Sequence, residues 1–299
     1  MAGLGVSLLV AGLPRLFGDD LAAIVELGRA ADAAGIDQLV LPDHLAIGPR
    51  TDRYPYGRWP GPDDAPWLEP LTTLAAIAGV TRRIRLGTGV LIAPLRPALL
   101  LAKTAATLDV LSRGRLDLGV GTGWQREEFA AAGVPFRGRT ARMDDVLRAC
   151  RALWRDAPAS FRSETVSFEA IRCLPRPVQR GGPPLWIGGA ATPGNLARLA
   201  EFGAGWMPIG LDDDAFRDGL ARAREAFAAA GRDPATLGVR ATLAPVRGAD
   251  GRVDVGASLA GLPRLRELGA TLASVALPAF VASAAEAPDF LERLARAER

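Results

Sequence analysis

The chain contains a single histidine, His44, at the end of the segment "QLVLPDH", residues 38–44. An imidazole can accept or donate a proton near neutral pH, so His44 is the first candidate for proton transfer. A histidine beside a strand end also commonly serves as a hydrogen-bonded structural residue, and both interpretations stay open. Asp43 would point to the opposite face of a continuing strand, so the adjacent pair does not imply an Asp–His relay.

Other common catalytic groups have no counterpart in the sequence. Cys150 and Cys173 lack metal or redox spacing, and with one histidine the sequence predicts no metal site. The sole lysine, Lys103, stands outside any Walker A motif. "GVGTGW", residues 119–124, places Trp124 where a dinucleotide fingerprint needs its last glycine. These patterns argue against a zinc enzyme, a P-loop NTPase and a Rossmann protein.

Glycine-rich turns end three of the apolar runs. The segments "LGTGV", "LGVGTGW" and "PLWIGGA" occupy residues 86–90, 118–124 and 184–190. Glycine lets a flat ligand lie against the backbone. In the third segment, Gly188 and Gly189 precede a predicted helix start near Thr192, where free backbone N–H groups and a hydroxyl suit an anion. Each turn alone is also typical of a tight barrel turn, but together they favour a flat cofactor that carries a phosphate.

The elements that must position these residues alternate regularly. Apolar runs predict eight strands, at 4–10, 38–41, 84–91, 115–120, 184–188, 205–209, 239–246 and 271–277. Helical patterns are predicted between and after them, at 20–34, 71–78, 97–111, 139–154, 193–201, 213–230, 263–268 and 285–296. Consecutive βα units of this number favour a closed (β/α)8 TIM barrel over an open doubly wound sheet. No linker interrupts the pattern, so residues 1–299 are predicted to form a single domain.

Two segments are too long to be simple connections. The first insertion, residues 46–70, follows the second predicted strand and is rich in Pro, Arg and aromatic residues. It is predicted to form a pocket wall or lid, because active sites of barrels lie at the C-terminal ends of the strands; a plain surface excursion is the alternative. The second insertion, residues 156–183, precedes the fifth predicted strand and contains a predicted hairpin around "SETVSFEAIRCL".

Composition restricts the partners and the compartment. The chain is 49% hydrophobic and 23% charged, with a net charge of +3 and no basic run, so a nucleic-acid partner is not expected. No basic residue precedes Arg15, and Gly and Pro interrupt the apolar stretch 268–285, so neither a secretory signal nor a membrane span is expected. The sequence predicts a cytoplasmic protein with reduced thiols and a small-molecule substrate.

The order of the motifs resembles one known family. "PDH", "LGTGV", "LGVGTGW" followed by an acidic residue, and "PLWIGGA" follow one another as in the bacterial luciferase-like flavin and deazaflavin oxidoreductases, and the branch that uses coenzyme F420 is the most similar. The resemblance implies a luciferase-like (β/α)8 barrel with the tricyclic ring in its mouth, a non-prolyl cis peptide Gly89-Val90 behind that ring, and a homodimer.

The resemblance also assigns roles to residues. His44 matches a histidine that takes part in proton transfer near the reactive C5 of the deazaflavin. Positions that match the ring or ribityl contacts are Asp43, Thr88, Gly121, Thr122 and Gly123. Positions that match the phosphate-binding turn are Gly188, Gly189, Ala190 and Thr192.

The sequence departs from the pattern at two places. Relatives that oxidise sugar phosphates or alcohols carry a tryptophan where Gly48 stands and an acid where Trp124 stands. The resemblance therefore favours hydride transfer from reduced F420 to an activated C=C or C=N bond, with His44, Glu128 or water as the proton source. Trp59, Trp67 and Trp124 are predicted to line the substrate pocket, and burial as ordinary core residues is an equal alternative.

Two other functions stay open. An FMN-dependent two-component monooxygenase fits the same glycine motifs, because FMN shares the ring shape and the phosphate. A non-catalytic flavin- or deazaflavin-binding protein also fits, because the tryptophan and the acid of the dehydrogenases are both replaced.

Overall fold

The computed structural model describes residues 3–59 and 61–297. Its strands are β1 (Gly5–Leu9), β2 (Gln38–Leu41), β3 (Arg85–Thr88), β4 (Leu91–Ile92), β5 (Leu116–Gly121), β6 (Ala159–Arg162), β7 (Ser167–Ile171), β8 (Leu185–Gly188), β9 (Gly203–Met207), β10 (Gly238–Thr242) and β11 (Leu272–Ala276). Its α-helices are α1 (Leu13–Phe17), α2 (Ile24–Ala34), α3 (Pro70–Val80), α4 (Ala98–Leu111), α5 (Arg126–Ala131), α6 (Arg139–Arg155), α7 (Pro193–Phe202), α8 (Asp213–Ala229), α9 (Val255–Leu259), α10 (Leu262–Glu267), α11 (Leu277–Phe280) and α12 (Ala287–Arg296). Three residues named in the predictions lie outside the described residues: residues 1 and 299, which bound the predicted domain, and Pro60 in the first insertion.

Eight strands close into a barrel in the order β1, β2, β3, β5, β8, β9, β10, β11 and back to β1, and every neighbouring pair is parallel. The short β4 pairs with β5 directly beyond β3, so it continues that strand. The predicted TIM barrel is confirmed, and each of the eight predicted strands contributes one barrel strand. In the second insertion, β6 and β7 form the predicted antiparallel hairpin.

Four short helices were not predicted. α1, α5 and α11 follow β1, β5 and β11, and α9 precedes α10. Each has six residues or fewer, which is too short for the apolar period of a helix to show in the sequence. Three of them lie at the C-terminal ends of barrel strands, where they shape the mouth of the barrel.

A polar layer joins the strands inside the barrel. The Gln38 amide donates to Asp117 at 2.6 Å and accepts from the Ser7 hydroxyl at 2.8 Å and the Arg240 guanidinium at 2.6 Å. Arg85 donates to both oxygens of Asp117. These side chains come from β1, β2, β3, β5 and β10, so they cross-link the barrel. Nε of Arg240 is buried without a hydrogen-bond partner in the described part of the chain. The glycine-rich strand ends lie further along the same strands.

Asp32 fixes the start of β3. Its carboxylate, in the last turns of α2, accepts backbone N–H groups of Arg82, Arg83 and Ile84 at 3.0, 2.8 and 2.6 Å. Burial acts to raise the pKa of Asp32, but these hydrogen bonds outweigh it and the pKa is lowered. The ionised carboxylate therefore stabilises the connection between α3 and β3.

We expect Asp32→Ala to lower the free energy of unfolding by about 1–3 kcal/mol, because three backbone donors lose their acceptor. Because the pKa of Asp32 is lower in the folded state, its contribution is present above the pKa of the unfolded chain and is lost as the pH falls through the folded-state pKa. The difference between wild type and variant in urea unfolding should therefore shrink under acidic conditions. Asp19→Ala, at an exposed carboxylate, is the control, and an equal loss in both variants would contradict the assignment.

Candidate active site

A cavity of about 1300 Å³ opens at the C-terminal ends of the barrel strands. Its lining includes these residues from the sequence prediction: Asp43, His44, Trp59, Trp67, Gly89, Val90, Gly121, Thr122, Gly123, Trp124 and Gly188. Strands that are distant in sequence thus bring the histidine and the three glycine-rich turns to one site, as the barrel fold requires.

His44 is held by a buried carboxylate. Its Nδ1 lies 3.0 Å from Oε2 of Glu128, whose other oxygen accepts the backbone N–H of Leu45 at 2.7 Å. Glu128 is only 1% exposed and lies behind the histidine, so its predicted place in the substrate pocket is wrong. An ionised Glu128 carboxylate can only accept this hydrogen bond, and in that state the proton is on Nδ1 of His44. Nε2 makes no hydrogen bond within the described ranges and is the nitrogen available to the cavity.

Asp43 is turned toward a different partner. Its carboxylate accepts from the backbone N–H of Ile92 at 2.8 Å and from both terminal nitrogens of Arg96 at 2.6 and 3.0 Å. Arg96 also donates to Glu69 at 2.9 Å. Asp43 therefore lies at the edge of the cavity and ties the end of β2 to β4. Adjacent residues with separate partners confirm that no Asp–His relay forms.

Thr88 does not line the cavity, contrary to the sequence prediction. Its hydroxyl donates to the carbonyl of Gly119 at 2.7 Å, and the residue is 1% exposed. A side chain at the end of a strand can point to either side of the barrel wall, and the local sequence does not decide which. Thr88 thus links β3 to β5 beneath the site.

The Gly89-Val90 peptide is cis, as the resemblance implied. The Val90 side chain lies between two glycines: a Cβ added at Gly121 or Gly188 would stand 2.6 or 2.5 Å from its methyl groups. A Cβ at Gly89 itself would stand 2.5 Å from a Val40 methyl. Glycine at 121 and 188 thus lets β5 and β8 pack against Val90, and glycine at 89 lets the chain after β3 pack against Val40 of β2.

Three tryptophans surround His44. The ring centroids of Trp59, Trp67 and Trp124 lie 5.6, 4.8 and 6.0 Å from the imidazole, each edge-on. Their indole N–H groups are buried without a hydrogen-bond partner in the described part of the chain. Tyr54, which the sequence reasoning missed, packs against Trp59 and Trp124. The first insertion thus folds back over the histidine and forms an aromatic wall of the cavity.

Gly48 occupies a place with no room for a side chain. A Cβ there would stand 2.5 Å from Cβ of Glu127. The Gln125 side chain accepts the Gly48 N–H at 2.8 Å and donates to its carbonyl at 3.1 Å. The loop after His44 is therefore clamped onto α5, and the tryptophan that similar dehydrogenases carry at this position does not fit here.

The predicted phosphate turn continues from the cavity wall. Gly189, Ala190 and Thr192 lie beyond the residues that line the cavity, at the start of α7. Gly189 has a φ of 102°. The Thr192 hydroxyl accepts the backbone N–H of Asn195 at 3.3 Å, which confirms the predicted helix start. The Tyr56 hydroxyl lies 3.8 Å from the position of a Cβ at Gly189, so the turn faces the first insertion.

Five arginines of the cavity were also missed: Arg15, Arg53, Arg139, Arg240 and Arg247. Their positions in the sequence are far apart, and no local pattern marks them. Only the closure of the barrel brings them to one cavity.

A family model described as luciferase-like monooxygenase matches residues 4–253. The chain belongs to the luciferase-like monooxygenase family. An uncharacterized protein of Mycobacterium tuberculosis is 34% identical over 271 residues, which cover 89% of this chain and 90% of the relative. An F420-dependent hydroxymycolic acid dehydrogenase of the same organism is 32% identical over 232 residues, which cover 76% of this chain and 59% of that protein. Family and relatives together support an oxidoreductase.

Solved structures share the fold over the whole chain. A monooxygenase from Streptomyces bottropensis superimposes with a TM-score of 0.79 at 22% identity, covering 99% of this chain and 98% of that one. An F420-dependent secondary alcohol dehydrogenase, solved with an F420–acetone adduct, gives a TM-score of 0.78 at 16% identity and covers 99% of both chains. At these identities the likeness establishes the luciferase-like barrel.

Residues 3–59 and 61–297 contain no group of three or more His, Cys, Asp and Glu side chains placed to hold a metal ion. None of the helices in those ranges has the length and apolar character needed to cross a membrane.

Because His44 is the only histidine, its nitrogen resonances can be read without assignment. We expect long-range 1H–15N spectra of the neutral imidazole to show the proton on Nδ1, because Glu128 accepts it. Glu128→Ala should lose this preference, whereas Glu128→Gln should retain part of it through the amide oxygen. Glu127→Ala, on the same helix, is the control. An unchanged spectrum in Glu128→Ala would contradict the assigned hydrogen bond.

Proposed function

We propose that this protein is an F420-dependent oxidoreductase that transfers a hydride between the deazaflavin and a small or medium organic substrate. Reduction of an activated C=C or C=N bond is the favoured direction. The observation that carries the proposal is the pairing of His44 with Glu128 at 3.0 Å, beside a cavity that Gly89, Gly121 and Gly188 also line. The F420-dependent dehydrogenase among the relatives supports the choice of coenzyme.

The residues present fit such a coenzyme. Val90 fills the side-chain space of Gly121 and Gly188, and the three residues together form a closely packed part of the cavity wall against which a flat ring would lie. The turn before α7 would hold the phosphate through the backbone N–H groups of Ala190 and Ala191, which donate to no acceptor among the described residues, whereas those of Gly189 and Thr192 donate to the carbonyls of Met207 and Ala190. When bound, the deazaflavin would donate or accept the hydride.

Proton transfer to or from the substrate is assigned to His44. With Nδ1 bonded to Glu128, Nε2 would give a proton to the substrate or take one from it. The buried carboxylate fixes the ring and stabilises the imidazolium when it forms. The aromatic wall of Trp59, Trp67 and Trp124 would exclude water from this exchange.

Two positions at which the chain differs from similar dehydrogenases bear on the substrate. Trp124 lies where similar alcohol and sugar-phosphate dehydrogenases carry an acid, and Gly48 has no room for their tryptophan. A site without these two groups lacks a second base for alcohol oxidation, which supports reduction as the favoured direction.

An FMN-dependent two-component monooxygenase is the second candidate, favoured by the family description and by the structural likeness to a monooxygenase. A binding protein without turnover is the third. The proposal further includes a cytoplasmic, single-domain homodimer, as the sequence and its resemblance imply, and sedimentation of the purified protein tests the oligomer.

We expect fluorescence titration to show micromolar binding of F420 and much weaker binding of FMN. Gly189→Val should weaken F420 binding at least about tenfold, because a β-branched residue disfavours the left-handed backbone of that turn. Gly231→Val is a matched control, since its φ of 71° imposes a similar cost away from the cavity. Micromolar FMN binding with none of F420 would favour the monooxygenase.

We expect His44→Ala to lower kcat by about 10²- to 10⁴-fold with an unchanged dissociation constant for F420, because the proton donor is lost while the cofactor contacts remain. The measurement is the reoxidation of reduced F420 by a panel of enones and imines. Turnover at the wild-type rate would remove His44 from the mechanism. If wild-type protein binds F420 but reoxidises it with none of the panel, the binding protein is favoured.

A further inference from the structure

The cavity has a large excess of positive charge. Five arginines line it, and Asp43 is the only carboxylate among its lining residues. Both oxygens of Asp43 are occupied by Arg96. None of the five arginines forms an ion pair with a carboxylate of the described residues. A cleft of one sign of charge with apolar walls concentrates ligands of the opposite sign.

Two of the five arginines already donate hydrogen bonds inside the protein. Arg240 lies inside the barrel, donates to Gln38 at 2.6 Å, and has its pKa lowered to about 10 because burial disfavours its charge. Arg139 donates to the carbonyl of Gly123 at 3.1 Å, beyond the end of β5. β5 is the neighbour of β8, which leads into the phosphate turn, so Arg139 lies on the phosphate side of the cavity.

The other three arginines lie on a different arc of the rim. Arg15 is in α1 after β1, Arg53 is in the first insertion after β2, and Arg247 follows β10. The strands β10, β11, β1 and β2 are consecutive in the barrel, and β8 is not among them. A phosphate at the turn after β8 therefore leaves Arg15 and Arg247, which follow β1 and β10, without a counter-ion, whereas Arg53 belongs to the first insertion, which also faces that turn.

These three side chains are available to a ligand. All are exposed at the cavity rim. Arg15 and Arg53 donate no side-chain hydrogen bond to any described residue, and Arg247 donates only to the carbonyl of Gly251 at 2.8 Å. A guanidinium binds a carboxylate through two parallel hydrogen bonds, which makes arginine the favoured residue for that group.

The wall between these arginines and His44 is mainly apolar, with Thr242 of β10 and Ser274 of β11 as polar lining residues. β1, α1, β11 and α11 contribute Leu9, Leu13, Ala276 and Pro278 to the lining of this arc. His44 follows β2, at one end of the arc. A molecule with its anionic group at the arginines would lay an apolar body along this wall toward the imidazole.

We propose that the substrate is an organic acid with an apolar body, and that Arg15, Arg53 and Arg247 bind its carboxylate. The inference deepens the proposed function and rests on it for the reaction. The binding step itself needs no cofactor and is tested separately. A second anionic group of the coenzyme would satisfy the same arginines, so the test includes the coenzyme as well.

The probes are decanoate and decanamide, which share an apolar chain and differ in charge. Binding is followed by the fluorescence of the protein without cofactor, because Trp59, Trp67 and Trp124 line the cavity. We expect decanoate to bind at least about tenfold more tightly, and increasing salt to reduce the difference because the arginines are exposed. The triple variant R15Q/R53Q/R247Q should bind both probes alike.

The control variant is R29Q/R222Q/R296Q, which removes the same charge from exposed helical positions outside the cavity lining. It should retain the preference for decanoate. Equal affinities in the wild type, or a preference retained in R15Q/R53Q/R247Q, would overturn the proposal. If R15Q/R53Q/R247Q instead loses F420 affinity and the wild type shows no preference for decanoate, the arginines bind the coenzyme and the substrate class is wrong. If F420 does not bind wild-type protein, the proposed reaction is contradicted, but the preference for decanoate over decanamide still tests the substrate class.

Discussion

The close approach of β3, β5 and β8 at the mouth of the barrel is the constraint on which the site depends. Val90 fills the space that side chains at Gly121 and Gly188 would need, and Gly89 has a Val40 methyl where its own Cβ would stand. These contacts fix the position of the Gly89-Val90 peptide in the cavity wall. A methyl group added at any of the three glycines would collide with a valine side chain, and the packing around it would have to shift.

Two neighbouring acid–base pairs then fix the end of β2. Asp43 and His44 are adjacent in sequence, yet one is held by Arg96 and the other by Glu128. The pair of Asp43 and Arg96 also holds the backbone of β4, since Asp43 accepts the N–H of Ile92. The second orients an imidazole toward the cavity. Because the two neighbours have separate partners, one segment serves both structure and chemistry.

Local patterns were sufficient for the framework and for part of the site. The run "QLVL" is buried at every position in β2, and the two insertions lie where the pattern fails. The cis bond at Gly89-Val90 follows from a resemblance that rests on short, ordered motifs. Thr88 and Glu128 were misplaced because their direction depends on how strands and helices pack, and one residue of rotation changes which side a group faces.

The sequence by itself determined the eight barrel strands and the longer helices, their parallel arrangement in a barrel and the location of a histidine and three glycine turns at the strand ends. Those features depend on short-range periodicity and on backbone freedom, which neighbouring residues encode. Only the tertiary structure decided that Glu128 supports His44, that Gly48 leaves no room for a tryptophan, and that five arginines share one cavity. These are contacts between residues far apart in the chain, and their distances exist only once the eight strands have closed.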